Sequence, residues 1–554
     1  RGRAKRSTGV GQRNMSMIRT PVLIVGGGPV GSTLALDLAS RGIDVVVAER
    51  NPPGQMPGVK CNHVAARTME IFRRLGIARI VRDSGLPADH ANDIAFRTSA
   101  TGIEFGRIMI PCRRDRYTNK DGPDGYWPTP EPPHRINQIY LDPLLASVAR
   151  DHKRIRYINQ LEVEGFTQSD DGITAEAIDH GTGTRTIIQC DYLIGCDGPS
   201  SQVRHLIEAR LTGDAFIGRT QSTYVRAPGL AERMQAPRAW STQVMNPRRS
   251  ANMFAVDGRE TWLIHNYLRE SEADFAAIDS DWCIRTIMGV DADFHYDVIT
   301  RENWIGRRLL ADRFRDRRAF ICGDAAHLWV PSAGFGMNAG IADAMNLSWM
   351  LAGVLHGWAD PDILAAHEAE RWPITEQVSK FAMSTSLSVA RTRAEVPDDL
   401  EYNTATQAEF GRAMQKMHTP QFCCGGLNFG YFYDRSPIIQ YDGEAAPSYA
   451  MDQFTPATVP GCRTPHTWLA DGQSLYDAMG PDFCVLRFDR SVDVGRLIDA
   501  AAYRSLPLRV LDLAPAEVYR HKLLLSRPDQ HIAWRGDTVP DNPLTLVDKV
   551  RGAA

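Results

Sequence analysis

Residues 21–50 read PVLIVGGGPVGSTLALDLASRGIDVVVAER, and no other stretch constrains the fold as tightly. Val22 to Val25 form a short, β-branched apolar run that meets glycine at once, the pattern of a buried parallel strand. Gly26, Gly28 and Gly31 follow with the spacing G-x-G-x-x-G, and Leu34, Leu36, Leu38 and Ala39 then mark an apolar helix that stops at Arg41-Gly42. Asp44 to Ala48 return as a second strand with Glu49 at its end. Each part has a physical task. Gly26 permits a tight turn, Gly28 lets the backbone approach a pyrophosphate, and Gly31 lets the helix pack closely on the strand. The helix N-terminus turns its positive end to the phosphates. Glu49 stands where a carboxylate accepts hydrogen bonds from a ribose diol. The unit predicts an α/β dinucleotide-binding fold and leaves NAD and FAD both open.

The remaining chain is too long for one ordinary core: 554 residues predict two or three domains. A net charge of -3 gives no field that would draw nucleic acid or an anionic membrane, so a small molecule is the expected partner. The ten cysteines are scattered, without CxxC or zinc spacing, and are read as reduced packing residues of a cytoplasmic protein with no metal. No apolar run reaches membrane-spanning length, and the basic segment RGRAKRSTGVGQRNMSM lacks the hydrophobic middle of a secretory signal.

Residues 1–20 are set aside as a tail without periodicity. Three segments, 21–84, 134–205 and 306–375, carry the nucleotide-domain signals. HRINQIYLDPLLASVAR turns helical from Asp142, with Pro143 at the first helical position. Residues 85–133, ending in DGPDGYWPTPEPP, read as an irregular excursion or lid. QSTYVRAP, ANMFAVDG and TWLIHNYL, within 206–305, alternate between turn signals and predict an antiparallel sheet; with 85–133 they form a substrate domain. Residues 376–455 are a helical segment and linker, and 456–554 carry enough strands and helix for a small α/β domain.

A second glycine cluster, GDAAHLWVPSAGFGMNAGIADAMNL at 323–347, resolves the choice of nucleotide. AFICGD is a buried strand ending in Gly323-Asp324, just as DYLIGCDGPSSQVR is a strand ending at Asp197-Gly198. Ligands of open α/β sheets bind beyond the carboxyl ends of strands, so these junctions and Gly26 can face one crevice. Asp324 offers a carboxylate to a cofactor hydroxyl. Pro331, Gly334 and Gly336 shape a loop leading into a helix whose free amides suit the N1/C2 edge of a flavin, which becomes negative on reduction. Nicotinamide has no such edge.

GGGPVG at 26–31, CDGPSSQVR at 196–204 and the 323–347 motif resemble those of the single-component FAD-dependent aromatic hydroxylases, the para-hydroxybenzoate hydroxylase-like flavoprotein monooxygenases. PGCRTPHTWLADGQSLYDAMG at 460–480 resembles the thioredoxin-like C-terminal domain of their phenol and polyketide hydroxylase branch. The resemblance implies a Rossmann-like FAD-binding domain with an inserted antiparallel-sheet substrate domain. It implies that NADH or NADPH reduces FAD and that O2 forms a flavin hydroperoxide, which hydroxylates a phenolic or polycyclic aromatic substrate. A Baeyer-Villiger or epoxidising enzyme, or a non-catalytic flavoprotein, would share the scaffold; the Trp-x-Trp-x-Ile-Pro segment of flavin halogenases is absent.

By position, the resemblance gives Gly26, Gly28, Pro29 and Gly31 to the pyrophosphate, Glu49 to the adenosine ribose and Gln138 to the flavin side. Gly323 and Asp324 would face the ribityl or pyrophosphate region, and Asp197 both FAD and the reduced nicotinamide. Pro331 would lie beside the reactive edge, with Gly334, Gly336 and the backbones of Met337 and Asn338 around the pyrimidine ring. Lys60 stands where relatives carry arginine, which keeps the charge and loses the planar fork. A pocket of Tyr224, Trp240, Trp262 and His265, with Met245, Phe254 and Tyr267 beside them, is the expected aromatic lining, set against the alternative of ordinary core. His327 has two readings, an acid-base group or a loop histidine satisfying its neighbours. The C-terminal domain, lacking CxxC, is expected to serve stability or assembly, and a homodimer is the expected assembly.

Overall fold

The computed structural model describes residues 16–554 apart from 57, 59, 61, 126, 332 and 333. Its first sheet is built on strand Ser16–Val25, which runs parallel to Val45–Glu49 on one side and Arg185–Gly195 on the other. Ile155–Asn159 and Ala319–Ile321 continue it outward, also parallel. Val22 and Ile24 enter one core with the helices Pro29–Ser40, Gln138–Asp151 and Gly336–Leu355; Leu23 and Val25 enter another with Ala175, Ala177 and Val203. Both faces are buried, so the strand reads as a continuous apolar run. The register fixes what matters for a ligand: Val25 pairs with Gly195, and Gly195 with Ile321. Three strands therefore end level, and the Gly26, Asp197 and Gly323 junctions open on one edge.

Two local expectations need correction. The first strand begins at Ser16, so the last five residues of the 1–20 tail belong to the sheet, with Ser16 Oγ 2.7 Å from Thr186 Oγ1. An edge pattern interrupted by Arg19, Thr20 and Pro21 concealed it. The Gln138 helix starts four residues ahead of Asp142, because Asn137 Oδ1 accepts from Ile139 N at 3.0 Å and caps it; Pro143 lies inside. Burial of Leu141, Leu145 and Ala149 holds the helix together across the hydrogen bond that proline forgoes.

The second sheet has eight strands in the order His327–Leu328, Asp297–Ala311, Leu211–Arg226, Thr261–Tyr267, Ala251–Ala255, Ser241–Val244, Ile94–Arg97 and Glu104–Ile108. All pairings are antiparallel except Ser241–Val244 with Ile94–Arg97. Two strands thus come from the stretch expected to be irregular. Ile94 to Arg97 are buried throughout, so they lack the alternation that marks a half-exposed strand. His327–Leu328 matters more: pairing with Leu310 and Leu309, it attaches the second glycine cluster directly to this sheet. The helices Ala365–Ala394 and Thr404–Phe422 lie against it, the latter so closely that a Cβ at Gly411 would stand 1.8 Å from the Phe105 carbonyl oxygen.

The third sheet, ordered Leu508–Asp512, Phe483–Arg487, Leu523–Ser526 and Ile532–Gly536, pairs its first two strands in parallel across the helix Gly495–Tyr503 and the others antiparallel. With Pro543–Val550 this is the thioredoxin-like βαβ-ββα arrangement. The turn-rich stretch leading into it is no free tether. Gly461 N donates to Ile532 O, and residues 458–465 are buried.

Candidate flavin site and its aromatic wall

At the first junction the motif glycines differ in what surrounds them. Gly26 has φ +103°, and a Cβ there would stand 2.3 Å from the Cys196 carbonyl oxygen; one at Gly31 would stand 2.0 Å from the Gly26 carbonyl. Gly28 has nothing within 4 Å on its Cβ side and caps the Pro29 helix with no side chain engaged. The amides of that helix start, including Pro29's neighbours, are thus directed at open space. Glu49 accepts from Gly27 N at 2.7 Å and Asn51 N at 2.8 Å, which fixes its carboxylate at the strand end with lone pairs to spare for a diol.

The other two junctions are tied together. Asp197 spends its carboxylate on its own loop, accepting from Ser201 Oγ at 2.5 Å and from Gln202 N at 2.7 Å, so it shapes the loop rather than pointing out of it. Arg204, unremarked in the sequence, donates to Ala325 O at 3.0 Å and Pro199 O at 2.9 Å and laces the second junction to the third. Gly323 takes φ +62° where the Gly336 helix crosses it, and a Cβ on Gly340 would come within 2.8 Å of its Cα. Next to it Asp324 is solvent-accessible yet ringed by protein, the position of a residue on a cleft floor. Burial pushes its carboxyl up against the pull of His327 and Lys60. Gln138 N donates to Lys60 O at 3.3 Å, so Lys60, Gln138 and Asp324 border the same cleft. The Gln138 side chain turns instead to Asp142, whose carboxyl burial pushes up to about 7.

His327 proves to be a buried structural histidine. Its Nε2 lies 2.7 Å from Asp343 Oδ2, its ring stacks on Trp329 at 4.6 Å, and it is 1% exposed. Asp343 also accepts from Arg371 Nε at 2.8 Å. Against burial, Arg371 and His327 hold its carboxyl well below the usual range. The signal was an aspartate in the middle of an apolar helix, which is almost never buried unpaired.

The Gly336 helix begins without a side-chain cap, and a Cβ at Gly336 would meet nothing within 4 Å. Gly334 N donates to Pro331 O at 3.0 Å, closing the turn before it; Ser332 and Ala333 lie outside the described residues. Met337 is buried, and the Asn338 side chain is fully used. It accepts from Ala65 N at 2.9 Å and Thr68 Oγ1 at 2.8 Å and donates to Gly334 O at 2.8 Å and His63 O at 3.1 Å. Only the backbone of this helix start is left for a ligand. Two uncapped helix N-termini, an open face at Gly28 and Gly336 and a carboxylate on the cleft floor between them fit the two ends of FAD. Replacing Asp324 by Ala is expected to lower FAD occupancy of the purified protein by about tenfold, the worth of one charge-assisted hydrogen bond. Unchanged occupancy, measured from the flavin-to-protein absorbance ratio, would show that this carboxylate stands elsewhere.

From the flavin loop a line of contacts reaches the second sheet. The His63 ring lies 6.4 Å from Phe335, its Nδ1 is 2.6 Å from Arg135 Nη1, and the Arg135 guanidinium sits 4.0 Å above Trp240. Trp240 is 5.2 Å from Phe254 and Phe254 5.6 Å from His265. His265 contacts Ser222 Oγ at 2.6 Å, to which Trp304 Nε1 donates at 2.7 Å. Burial, then Arg393, pushes His265 down to about 4, so the ring is neutral. Strand alternation separates the expected pocket residues. Trp262, 3% exposed, faces the other way and packs with Met253, Ile264 and Ile287, as does Met245; both are core, a correction to the expected lining. Tyr224 is buried with Ile139, Val256 and Leu263, between the sheet and the Gln138 helix. His265 lies on the wall, and Trp240, buried in the same cluster as Trp262, borders it through its contacts with Arg135 and Phe254; His63, Arg135 and Trp304 join them, which the sequence reading missed because each comes from a different segment.

A parallel sheet with two anion-binding helix starts on one edge, joined through its second glycine loop to a sheet with an aromatic wall, defines the class: a flavoprotein. Residues 19–382 match the FAD binding domain family and 457–553 the C-terminal domain of aromatic-ring hydroxylases, and the chain belongs to the FAD-dependent aromatic-ring monooxygenases. It is 30% identical to FAD-dependent monooxygenase apdD of Emericella nidulans over 95% of this chain and 90% of that protein. It is 28% identical to phenol 2-monooxygenase of Pseudomonas sp. over 97% and 93% of the two chains. Among solved structures, the rebeccamycin biosynthetic enzyme RebC, soaked with chromopyrrolic acid and holding 7-carboxy-K252c, superposes with a TM-score of 0.87 at 33% identity, covering 97% of this chain and all of that one.

Proposed function

We propose that this monooxygenase hydroxylates a phenolic or polycyclic aromatic compound with O2 and NADH or NADPH. The observation that carries the reading is the unbroken line from Phe335 through His63, Arg135 and Trp240 to Phe254 and His265, which places an aromatic wall beside the flavin loop. When bound, FAD supplies hydride acceptance and O2 activation, chemistry no side chain offers. The chain's own residues do the rest. Gly28 and the Pro29 helix receive the pyrophosphate, Glu49 the adenosine ribose, and Asp324 with Lys60 and Gln138 the middle of the cofactor. The uncapped Gly336 helix start would hold the pyrimidine edge of the flavin with its free backbone amides. His63 accepts from Arg135 at Nδ1 and links that guanidinium to Phe335 of the flavin loop. Trp240, Phe254 and Trp304 keep water out and hold the ring plane. A cytoplasmic location suits the nine free cysteines among the described residues; no described helix is long and apolar enough to cross a membrane.

The test is an anaerobic titration followed by product analysis. FAD-loaded protein should bleach on addition of NADH or NADPH and, with air restored, add one oxygen to a phenolic substrate by mass. A protein that cannot be loaded with FAD, or that consumes reduced nicotinamide with every phenol tried and releases only peroxide, would refute the reading.

A further inference from the structure

The Ala365 helix ends over the chamber face of the second sheet and brings Arg393 there. Its guanidinium lies 3.6 Å above the Tyr267 ring, and Nη2 donates to Asn252 Oδ1 at 2.8 Å. Tyr267, Asn252, Phe254 and His265 alternate onto the same face of their strands, so Arg393 looks into the chamber that His265 borders. No carboxylate among the described residues pairs with it; its recorded partners are the neutral Tyr267 ring and the Asn252 side-chain carbonyl. Three buried arginines on or beside this sheet are matched, Arg97 to Glu104, Arg107 to Asp93 and Arg249 to Glu272. The helix C-terminus beneath Arg393 supplies partial negative charge but not a counter-ion.

The rest of the lining makes the imbalance worse. Arg135 stands beside Trp240, and its nearest carboxylate, Asp124, is already bound to Arg116. Burial and Arg393 keep His265 and His418 neutral, at about 4 and about 3. Four polar atoms here, Arg393 Nε, Arg135 Nη2, His418 Nε2 and Gln243 Oε1, are buried without a partner. A desolvated guanidinium with no counter-charge is costly unless something arrives to balance it. We infer that the aromatic substrate carries an anionic oxygen group, a carboxylate or an ionised ring hydroxyl, and that Arg393 is the residue that selects it. This rests on the reading of the chamber as a substrate site.

Binding can be followed without turnover, by perturbation of the FAD spectrum in the loaded enzyme. The probes are 3-hydroxy-2-naphthoate and its amide, over a range of pH. If a carboxylate is the recognised group, wild type binds the acid far better than the amide, and Arg393→Gln weakens the acid about 10- to 100-fold and the amide hardly at all. If it is the ring oxygen, both bind more tightly as pH rises through ionisation of the hydroxyl, and Arg393→Gln removes that rise. Equal binding of both probes by wild type and variant at every pH, or binding of neither, overturns the inference. A second measurement needs no ligand: Arg393→Met should leave the melting temperature of the FAD-loaded protein unchanged or raised, since it removes an unbalanced charge. A fall of more than about 5 °C would mark Arg393 as a structural cation and overturn it. A protein that binds the acid through Arg393 yet never hydroxylates would leave this inference standing and remove the proposed function.

Discussion

Alanine placed in turn at the three motif glycines is expected to give two failures of folding and one failure of binding. At Gly26 the methyl group would stand 2.3 Å from the Cys196 carbonyl oxygen, on a residue with φ +103°. Neither the neighbouring strand end nor the backbone dihedral can give way cheaply, and the cost is on the order of 3 kcal/mol or more. At Gly31 the methyl would stand 2.0 Å from the Gly26 carbonyl oxygen, so the helix must lift off the strand. Gly28 is different in kind. Its φ of -68° and ψ of -173° suit any residue, and a methyl there touches nothing. The exchange costs the apoprotein at most about 1 kcal/mol of helix capping. The open space is the path of the pyrophosphate, so Gly28→Ala should keep the apoprotein's thermal melt and lose FAD affinity by about 100-fold or more. Apoprotein melting and FAD titration by fluorescence quenching separate the cases. A Gly28→Ala protein that binds FAD normally, or a Gly26→Ala protein that folds normally, would show that the motif is only a turn.

That contrast also marks what the sequence could reveal. Spacing shows that three glycines share a motif, and strand runs show that three junctions exist, because both signals are local. The levelling of Val25, Gly195 and Ile321 follows from parallel registry and could be anticipated. Which glycine is crowded by its neighbours depends on residue 196, and that is a tertiary fact. The aromatic wall was legible only as composition: Trp240 and Trp262 look alike in sequence and are buried alike, and only the tertiary contacts of Trp240 with Arg135 and Phe254 set it on the wall. His63, Arg135 and Arg393 come from three distant segments, with no periodicity to connect them. Strand Ile94–Arg97 escaped notice for a related reason, since a short strand buried on both faces has no alternation to show, and Glu104–Ile108, half-buried at the sheet edge, carries only two buried apolar residues.

The C-terminal domain carries the second large effect, through charges buried where it docks. Arg527, 0% exposed, donates to Glu370 Oε1 at 2.6 Å and Oε2 at 2.9 Å, and to Asp529 Oδ2 at 2.6 Å. Glu370 stands on the Ala365 helix, so this pair crosses from the third sheet to the flavin-side core. Arg463 makes the same crossing to Glu70 at 2.5 Å, two residues from Thr68, whose hydroxyl holds Asn338 at the flavin loop. Phe483 adds ring contacts to Trp349 and Trp358 at 5.7 and 6.0 Å. Deleting residues 456–554 would take Arg463 and Arg527 from Glu70 and Glu370 and uncover the apolar surface around Trp349 and Trp358, and insoluble protein is the expected result. The sharper experiment keeps the chain whole. Arg527→Met leaves two buried carboxylates without a cation and should cost about 3–5 kcal/mol, a fall in melting temperature large enough to measure in any buffer. Adding Glu370→Gln and Asp529→Asn removes the stranded charges and should recover most of the loss, because removing every partner of a buried ion pair is far cheaper than removing one. Through all of these variants, the rate of flavin reduction per bound FAD should hold steady. Recovery without the triple change, or a reduction rate that falls in step with Arg527→Met, would mean that this domain takes part in electron transfer rather than holding the flavin domain together.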